Sequence, residues 1–317
     1  VNRPAFFDPS SLSLDERLLY ETLRIRLVEL RIIQLYPSDC IQSPVHLSIG
    51  QEAVAAGACA ALRPDDLVFG TYRSHAFYLA KGGDLRQMMA ELYGKATGCC
   101  GGKAGSMHLA APEVGLMGSS AIVASTIPHA VGAALAARRR GSDQIVVAVF
   151  GDGATEEGVY HESLNFAALH ELPVLFLCEN NGLAVHSRIQ ARQAYDLLDH
   201  ADTYGIPARR CPRGNDPRAV YDAVAAAVAR VRAERRPLLL VVDTYRQMEH
   251  VGIGDDHQVG YRSSAEAEPW RRTDPLVTQT DLVARFTPDI LREIEDAVAF
   301  AEESPWPGAD ALLADVA

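Results

Sequence analysis

The residues best suited to chemistry stand in two clusters, Gly151-Asp152-Gly153 and, after 26 intervening residues, Asn180-Asn181-Gly182. A carboxylate and an amide oxygen are hard ligands of the kind Mg²⁺ or Ca²⁺ takes. So few protein ligands leave room for phosphate oxygens to complete an octahedron. Glycines on either side of Asp152 let the backbone approach a phosphate, and a helix starting just beyond adds a favourable dipole. Taken alone, Asp152 could equally cap an ordinary strand–turn–helix. Asn180 and Asn181 at this distance favour a metal–diphosphate site instead.

Both clusters need a scaffold that brings them to one place. Residues 145–150 are apolar, mostly β-branched and stopped by glycine, which predicts a buried parallel strand. An amphipathic helix is expected next (Tyr160, Leu164, Phe166, Ala167, Ala168), then a second strand at 173–178 that also ends in polar residues. The clusters would then share the carboxyl edge of one sheet, where open α/β folds bind their ligands.

Elsewhere, apolar residues at helical spacing (Leu18, Leu19, Leu23, Leu27, Leu30, Ile33) predict a helix at about 15–36, stopped by Pro37. A loop from His46 runs into an Ala-rich helix at 52–62. The segment 66–75 reads as a short strand ending in Thr71-Tyr72-Arg73-Ser74-His75, with a helix after it at about 85–94. A glycine-rich loop, 98–108, and the segment 119–125 precede an Ala-rich helix at about 127–140. A helix at about 217–234 leads to a buried strand at 238–242 and a polar loop, 243–256, expected to be mobile. The alternation implies an α/β fold with a mostly parallel sheet flanked by helices and with helical N- and C-terminal extensions. The expected division is an arm and helix at 1–40 (the arm being 1–13), a ligand-binding α/β domain at 41–264, and a tail of two covering helices at 265–317.

Composition excludes several classes. The 317 residues are 48% hydrophobic, enough for a large core, and a net charge of −11 argues against a nucleic-acid-binding surface. No apolar run has membrane-spanning length, and Val1-Asn2-Arg3-Pro4 lacks a signal-peptide pattern. With six scattered cysteines (Cys40, Cys59, Cys99, Cys100, Cys178, Cys211), this predicts a cytoplasmic protein with free thiols and neither membrane nor nucleic-acid partners. Cys99-Cys100 has no second Cys/His pair at zinc spacing. Gly102-Lys103 does not complete a P-loop, because position 97 is Thr and Ala104 replaces Ser/Thr. Gly151-Asp152-Gly153 does not complete a dinucleotide fingerprint, because position 156 is Glu.

Together these blocks resemble the alpha subunits of thiamine-diphosphate-dependent 2-oxo acid dehydrogenases, the group containing the first components of pyruvate, branched-chain and acetoin dehydrogenases. The likeness runs from about residue 15 to 300 and is densest at 46–53, 71–75, 102–108, 122–128 and 151–181. It implies a thiamine-diphosphate-binding fold with thiamine diphosphate and Mg²⁺ as cofactors. The resemblance makes the Asp152 and Asn181 side chains and the Leu183 carbonyl metal ligands. It sets Tyr72, Arg73, Gly153, Ala154 and His250 around the diphosphate, and Ala121, Ile122 and Val123 by the aminopyrimidine. His46 and His250 become the catalytic residues facing the thiazolium side. Arg73 offers a rigid fork of donors for phosphate, and His250 can donate or shuttle a proton near neutral pH. Glu156 and Glu157 read as first-turn residues favoured by the helix dipole, and His75, His108 and His161 as structural.

In that family the glutamate that activates the aminopyrimidine lies on a second domain, and no second α/β domain of comparable length is expected within these residues. The resemblance therefore implies a separate beta subunit carrying it, in a heterotetramer of two alpha and two beta chains. The expected reaction is decarboxylation of a 2-oxo acid with acyl transfer to a lipoyl-bearing acyltransferase. One block departs: where relatives carry Gly-His-Ser then Asp-Pro, this chain has Glu249-His250-Val251-Gly252-Ile253-Gly254-Asp255-Asp256. The histidine is kept, but Val251 replaces a serine phosphorylated in some mitochondrial relatives, so no phosphoregulation is expected there. Because this loop would border the site entrance, the alternative expectation is a carboligase that passes the decarboxylated fragment to a small carbonyl acceptor. A non-catalytic cofactor-binding subunit is the third.

Overall fold

Alternate residues of the central strands face two different cores. In chain order the strands are β1 (Leu67–Phe69), β2 (Leu116–Gly118), β3 (Val146–Gly151), β4 (Val174–Asn180), the small hairpin β5 (Leu183–Ala184) and β6 (Ser187–Arg188), β7 (Ala208–Cys211) and β8 (Leu238–Asp243). Val147 and Val149 of β3, Leu175 and Leu177 of β4, and Leu238 and Leu240 of β8 enter one core. Val146, Ala148, Phe150, Val174, Phe176, Leu239 and Val241 enter the other. The two-residue period of a strand produces this division, and burial on both faces explains why the runs are apolar without a break.

Six strands form one all-parallel sheet in the order β2-β1-β3-β4-β8-β7. The first core is covered by α1 (Leu14–Leu35), α2 (Glu52–Ala60), α3 (His75–Ala80), α4 (Leu85–Leu92), α8 (Pro217–Glu234) and α11 (Thr280–Glu303). The second is covered by α5 (Thr126–Arg139), α6 (Gly158–Leu169) and α7 (Leu197–Asp202). Helix α1 starts at a capping box in which Ser13 and Glu16 satisfy each other's backbone N–H groups. The chain passes from β1 out to the β2 edge and returns to β3 on the other side. Winding therefore reverses between β1 and β3, the place where an open α/β sheet leaves a crevice.

The computed structural model describes residues 11–314, so the arm expected at 1–13 lies outside the described residues except for its last three. Three expectations need correction. Edge strands β2 and β7 were not anticipated. They are three and four residues long, and β7 exposes Arg209 and Arg210, so neither carries an apolar run. A 3₁₀ turn, Asp152–Glu156, separates β3 from α6, so Glu156 and Glu157 precede the helix rather than fill its first turn. Among the described residues the tail forms three α-helices, α9 (Ser264–Arg272), α10 (Pro275–Thr278) and α11, because Asp274 and Pro275 start a new one, and a 3₁₀ turn follows at Ala309–Leu313. No helix among the described residues is long and apolar enough to cross a membrane.

Candidate active site

A cavity of about 380 Å³ lies along the carboxyl ends of β1, β3 and β4, within the range of small-molecule sites. Every residue given a metal, cofactor or catalytic role from the sequence lines it, whereas Asn180 does not. The strand ends supply Tyr72, Arg73, Asp152, Gly153, Ala154, Asn181 and Leu183. The loops add His46, His250 and the segment Ala121, Ile122, Val123.

At one end Asp152 is 1% exposed. Its Oδ2 accepts a bond from Arg192 Nη2 at 2.6 Å, while Oδ1 is buried without any partner. Burial pushes this carboxyl up, and the Arg192 guanidinium opposes that. Asn181 donates through Nδ2 to Gln51 Oε1 at 2.9 Å, which fixes the amide, and its Oδ1 accepts from Leu183 N–H at 3.0 Å. An orphaned carboxylate oxygen beside an oriented amide oxygen is a donor set that a hard cation satisfies. A Cβ on Gly153 would fall 2.8 Å from the Ala184 Cβ, so only glycine allows the close packing here.

At the other end three rings meet. His46 lies 4.4 Å from Tyr72 and 5.1 Å from His250, centroid to centroid. Burial first, and then the Arg73 guanidinium, lowers both imidazoles to about 3, so both are neutral near neutral pH. Arg246 Nη1 stands 3.4 Å from His250 Nδ1. A donor there makes Nδ1 the acceptor and leaves the proton on Nε2. Arg73 is buried; it donates to the carbonyls of Leu47 at 2.5 Å and His250 at 3.1 Å. The fork expected to meet phosphate thus also ties two loop segments together.

The loop 243–256 is tied down where its polar composition suggested freedom. Glu249 Oε1 accepts from Gly254 N–H at 2.6 Å, and Glu249 N–H donates to the Gly254 carbonyl at 3.1 Å. Gly252 N–H reaches Val45 O at 2.8 Å, beside His46. Arg246, 1% exposed, donates to the carbonyls of Met248 and Val185. Glu249, one of the residues that depart from the family pattern, therefore helps to close this loop.

Sequence reasoning gave no role to three lining residues, Gln51, Glu179 and Arg246, or to Arg192, which holds Asp152. Gln51 lay inside a noted block without a role, and Arg246 followed a noted strand end. Glu179 stood beside Asn180 without a role, and Arg192 gave no local signal, since an ion pair spanning 40 residues leaves no periodicity. Burial pushes the Glu179 carboxyl up to about 8, with Arg73 opposing. Among the histidines read as structural, His75 Nε2 pairs with Ser106 Oγ at 2.7 Å, and Glu29 lies 3.5 Å from its Nδ1. This resembles a hydrolase relay, but all three residues are fully buried and no substrate can reach the serine. His108 Nε2 accepts from Ala121 N–H at 3.2 Å, which links the glycine-rich loop to the cleft wall.

A profile of the dehydrogenase E1 component family matches residues 20–309. The alpha subunit of acetoin:2,6-dichlorophenolindophenol oxidoreductase from Bacillus subtilis is 38% identical over 304 residues, covering 93% of this chain and 90% of that one. The pyruvate dehydrogenase E1 component alpha subunit of Zymomonas mobilis is 38% identical over 307 residues, 93% of this chain and 86% of that one. The human somatic mitochondrial counterpart is 34% identical over 301 residues, 91% of this chain and 75% of that one.

Proposed function

This chain belongs to the dehydrogenase E1 component family, and from that premise we propose the following function. It is the alpha subunit of a thiamine-diphosphate-dependent 2-oxo acid dehydrogenase, with Mg²⁺ held by Asp152, Asn181 and the Leu183 carbonyl. The observation that carries the reading is the buried, unpartnered Asp152 Oδ1 in a cleft that also holds two neutral imidazoles. A cation on that oxygen would compensate the diphosphate charge, with Tyr72, Arg73, Gly153, Ala154 and His250 around the phosphates and Ala121, Ile122 and Val123 by the aminopyrimidine.

Bound thiamine diphosphate supplies a carbon nucleophile for the oxo group and a sink for the electrons released with CO₂. The chain's share is to orient, to exclude water and to manage protons. His250, neutral and protonated on Nε2, can donate to a developing oxyanion without adding a fixed charge. His46 lies against it and against Tyr72, so the three rings form one wall of the substrate side.

We assign the activating carboxylate to a beta subunit. Glu156 is engaged by Arg192 and Gln193, which leaves it unsuited to that task. Ile122 (72% exposed), Val123 and Val185 form an apolar rim at the cleft that a second chain would cover. A heterotetramer of two alpha and two beta chains and a lipoyl-bearing acyltransferase as acceptor complete the proposal. Six free thiols support a reducing, cytoplasmic setting. The relatives are named as oxidoreductase or dehydrogenase subunits, which lends no support to a carbon–carbon ligase or a non-catalytic subunit.

The test uses the chain co-purified with its beta subunit, given thiamine diphosphate, Mg²⁺, a panel of 2-oxo acids and acetoin, and ferricyanide as electron acceptor. Acceptor reduction with a 2-oxo acid, absent for either subunit alone, is expected. No reduction by any 2-oxo acid while the cofactor is bound would overturn the proposal.

A further inference from the structure

We propose that Cys99 and Cys100 form a dithiol site for a thiophilic centre of the trivalent-arsenic type, built into the glycine-rich loop beside the cleft. The two sulfurs are 3.9 Å apart and both side chains are half-buried, open to a small reagent. The loop that carries them is fixed. Glu91, fully buried, accepts N–H bonds from Cys100 and Gly102 on one oxygen and from Ala104 and Gly105 on the other, at 2.7 to 3.1 Å. A Cβ on Gly98 would strike Glu91, and one on Gly102 would strike the Gly94 backbone. The thiols are therefore presented as a preorganised pair.

Three ligand chemistries compete for such a pair. Zinc needs four ligands; Glu91 is saturated by backbone donors, so only two sulfurs remain. A disulfide fits poorly. Neighbouring Cα atoms lie about 3.8 Å apart, below the range of roughly 4.4–6.8 Å in which disulfides are unstrained. A single bridging atom needs only a small side-chain turn: two bonds of about 2.3 Å meeting at the ~95° angle of a pyramidal trivalent centre hold sulfurs about 3.4 Å apart, roughly half an ångström closer than the observed pair. The hydrogen bond between the thiols lowers the Cys100 thiol and raises Cys99, so the first thiolate forms on Cys100. With an arsenoxide, R–As=O, two As–S bonds form and two S–H bonds break. The oxygen leaves as water with both protons, and nothing is oxidised or reduced.

The same loop carries Met107, which lines the cleft, and His108, which holds Ala121 N–H. Filling the dithiol site is therefore expected to weaken cofactor binding, a consequence that rests on the cofactor reading above. The test is the intact mass of this chain, in complex with its beta subunit, after stoichiometric phenylarsine oxide. Wild type is expected to gain one adduct that survives a monothiol and is removed by a dithiol. Cys99→Ser and Cys100→Ser should each abolish it. No adduct on wild type, or an adduct that persists in both variants, overturns the site. In parallel, thiamine diphosphate titration should show affinity reduced several-fold by the reagent in wild type only. Unchanged affinity with a complete adduct overturns the coupling and leaves the site standing.

Discussion

Asp152 has one oxygen held by Arg192 and one held by nothing, and this asymmetry has a measurable consequence. Both partners are largely buried, and removing one side of a buried pair typically costs about 3–5 kcal/mol, because the other charge is stranded. Arg192→Ala should therefore lower the melting temperature of the metal-free protein. Saturating Mg²⁺ and thiamine diphosphate should recover part of the loss, since the cation supplies charge at the same carboxylate. Thermal melts with and without ligands check this; an equal loss in both would mean Arg192 acts elsewhere. The imidazoles make a second prediction. His46 and His250 have their acidity held near 3 in the fold against 6.5 when free, so unfolding takes up protons between those values. Stability should therefore fall as pH drops through that window. The loss of melting temperature from pH 7 to pH 5 should shrink in His46→Asn, whose amide does not titrate. A variant that loses as much as wild type would place the titration in other groups.

At the scale of elements, legibility followed burial. Strands β3, β4 and β8 were readable because both faces are buried, which writes an unbroken apolar run into the sequence. Strands β2 and β7 lie on the edges and are short; pairing holds them, and pairing leaves no pattern in a single chain. Loop 243–256 was misjudged for a related reason. Its polar residues bond one another, so composition suggested mobility where Glu249, Arg246 and Asp256 create fixed geometry. Glu249 offers a clean test. Glu249→Ala leaves the half-buried Gly254 N–H without its acceptor, a loss of about 1 kcal/mol, since water can reach it in part. The loop that presents His250 should loosen with it. Hydrogen exchange of the Gly254 amide should quicken in Glu249→Ala and stay near wild type in Glu249→Gln, which keeps an acceptor oxygen. Equal exchange in all three would remove Glu249 from this role.

At the scale of the whole molecule, the reversal of winding between β1 and β3 opens the crevice, and residues far apart in the chain meet there. The residues of the proposed metal side were legible because a diphosphate-bound cation, as proposed, would demand a carboxylate, an amide and glycines at strand ends. Their supporting partners Gln51, Arg192 and Arg246 were not, because support is set by the fold and carries no motif. The exposed rim of Ile122, Val123 and Val185 remains after the chain has folded, and it directs attention to the beta subunit. The most direct measurement is calorimetric titration of thiamine diphosphate into the alpha–beta complex, with and without Mg²⁺, for wild type and Asp152→Ala. Binding that requires Mg²⁺ in wild type and is lost in Asp152→Ala is the predicted result. Binding in Asp152→Ala equal to wild type, or indifferent to Mg²⁺, would contradict the assignment of this cleft.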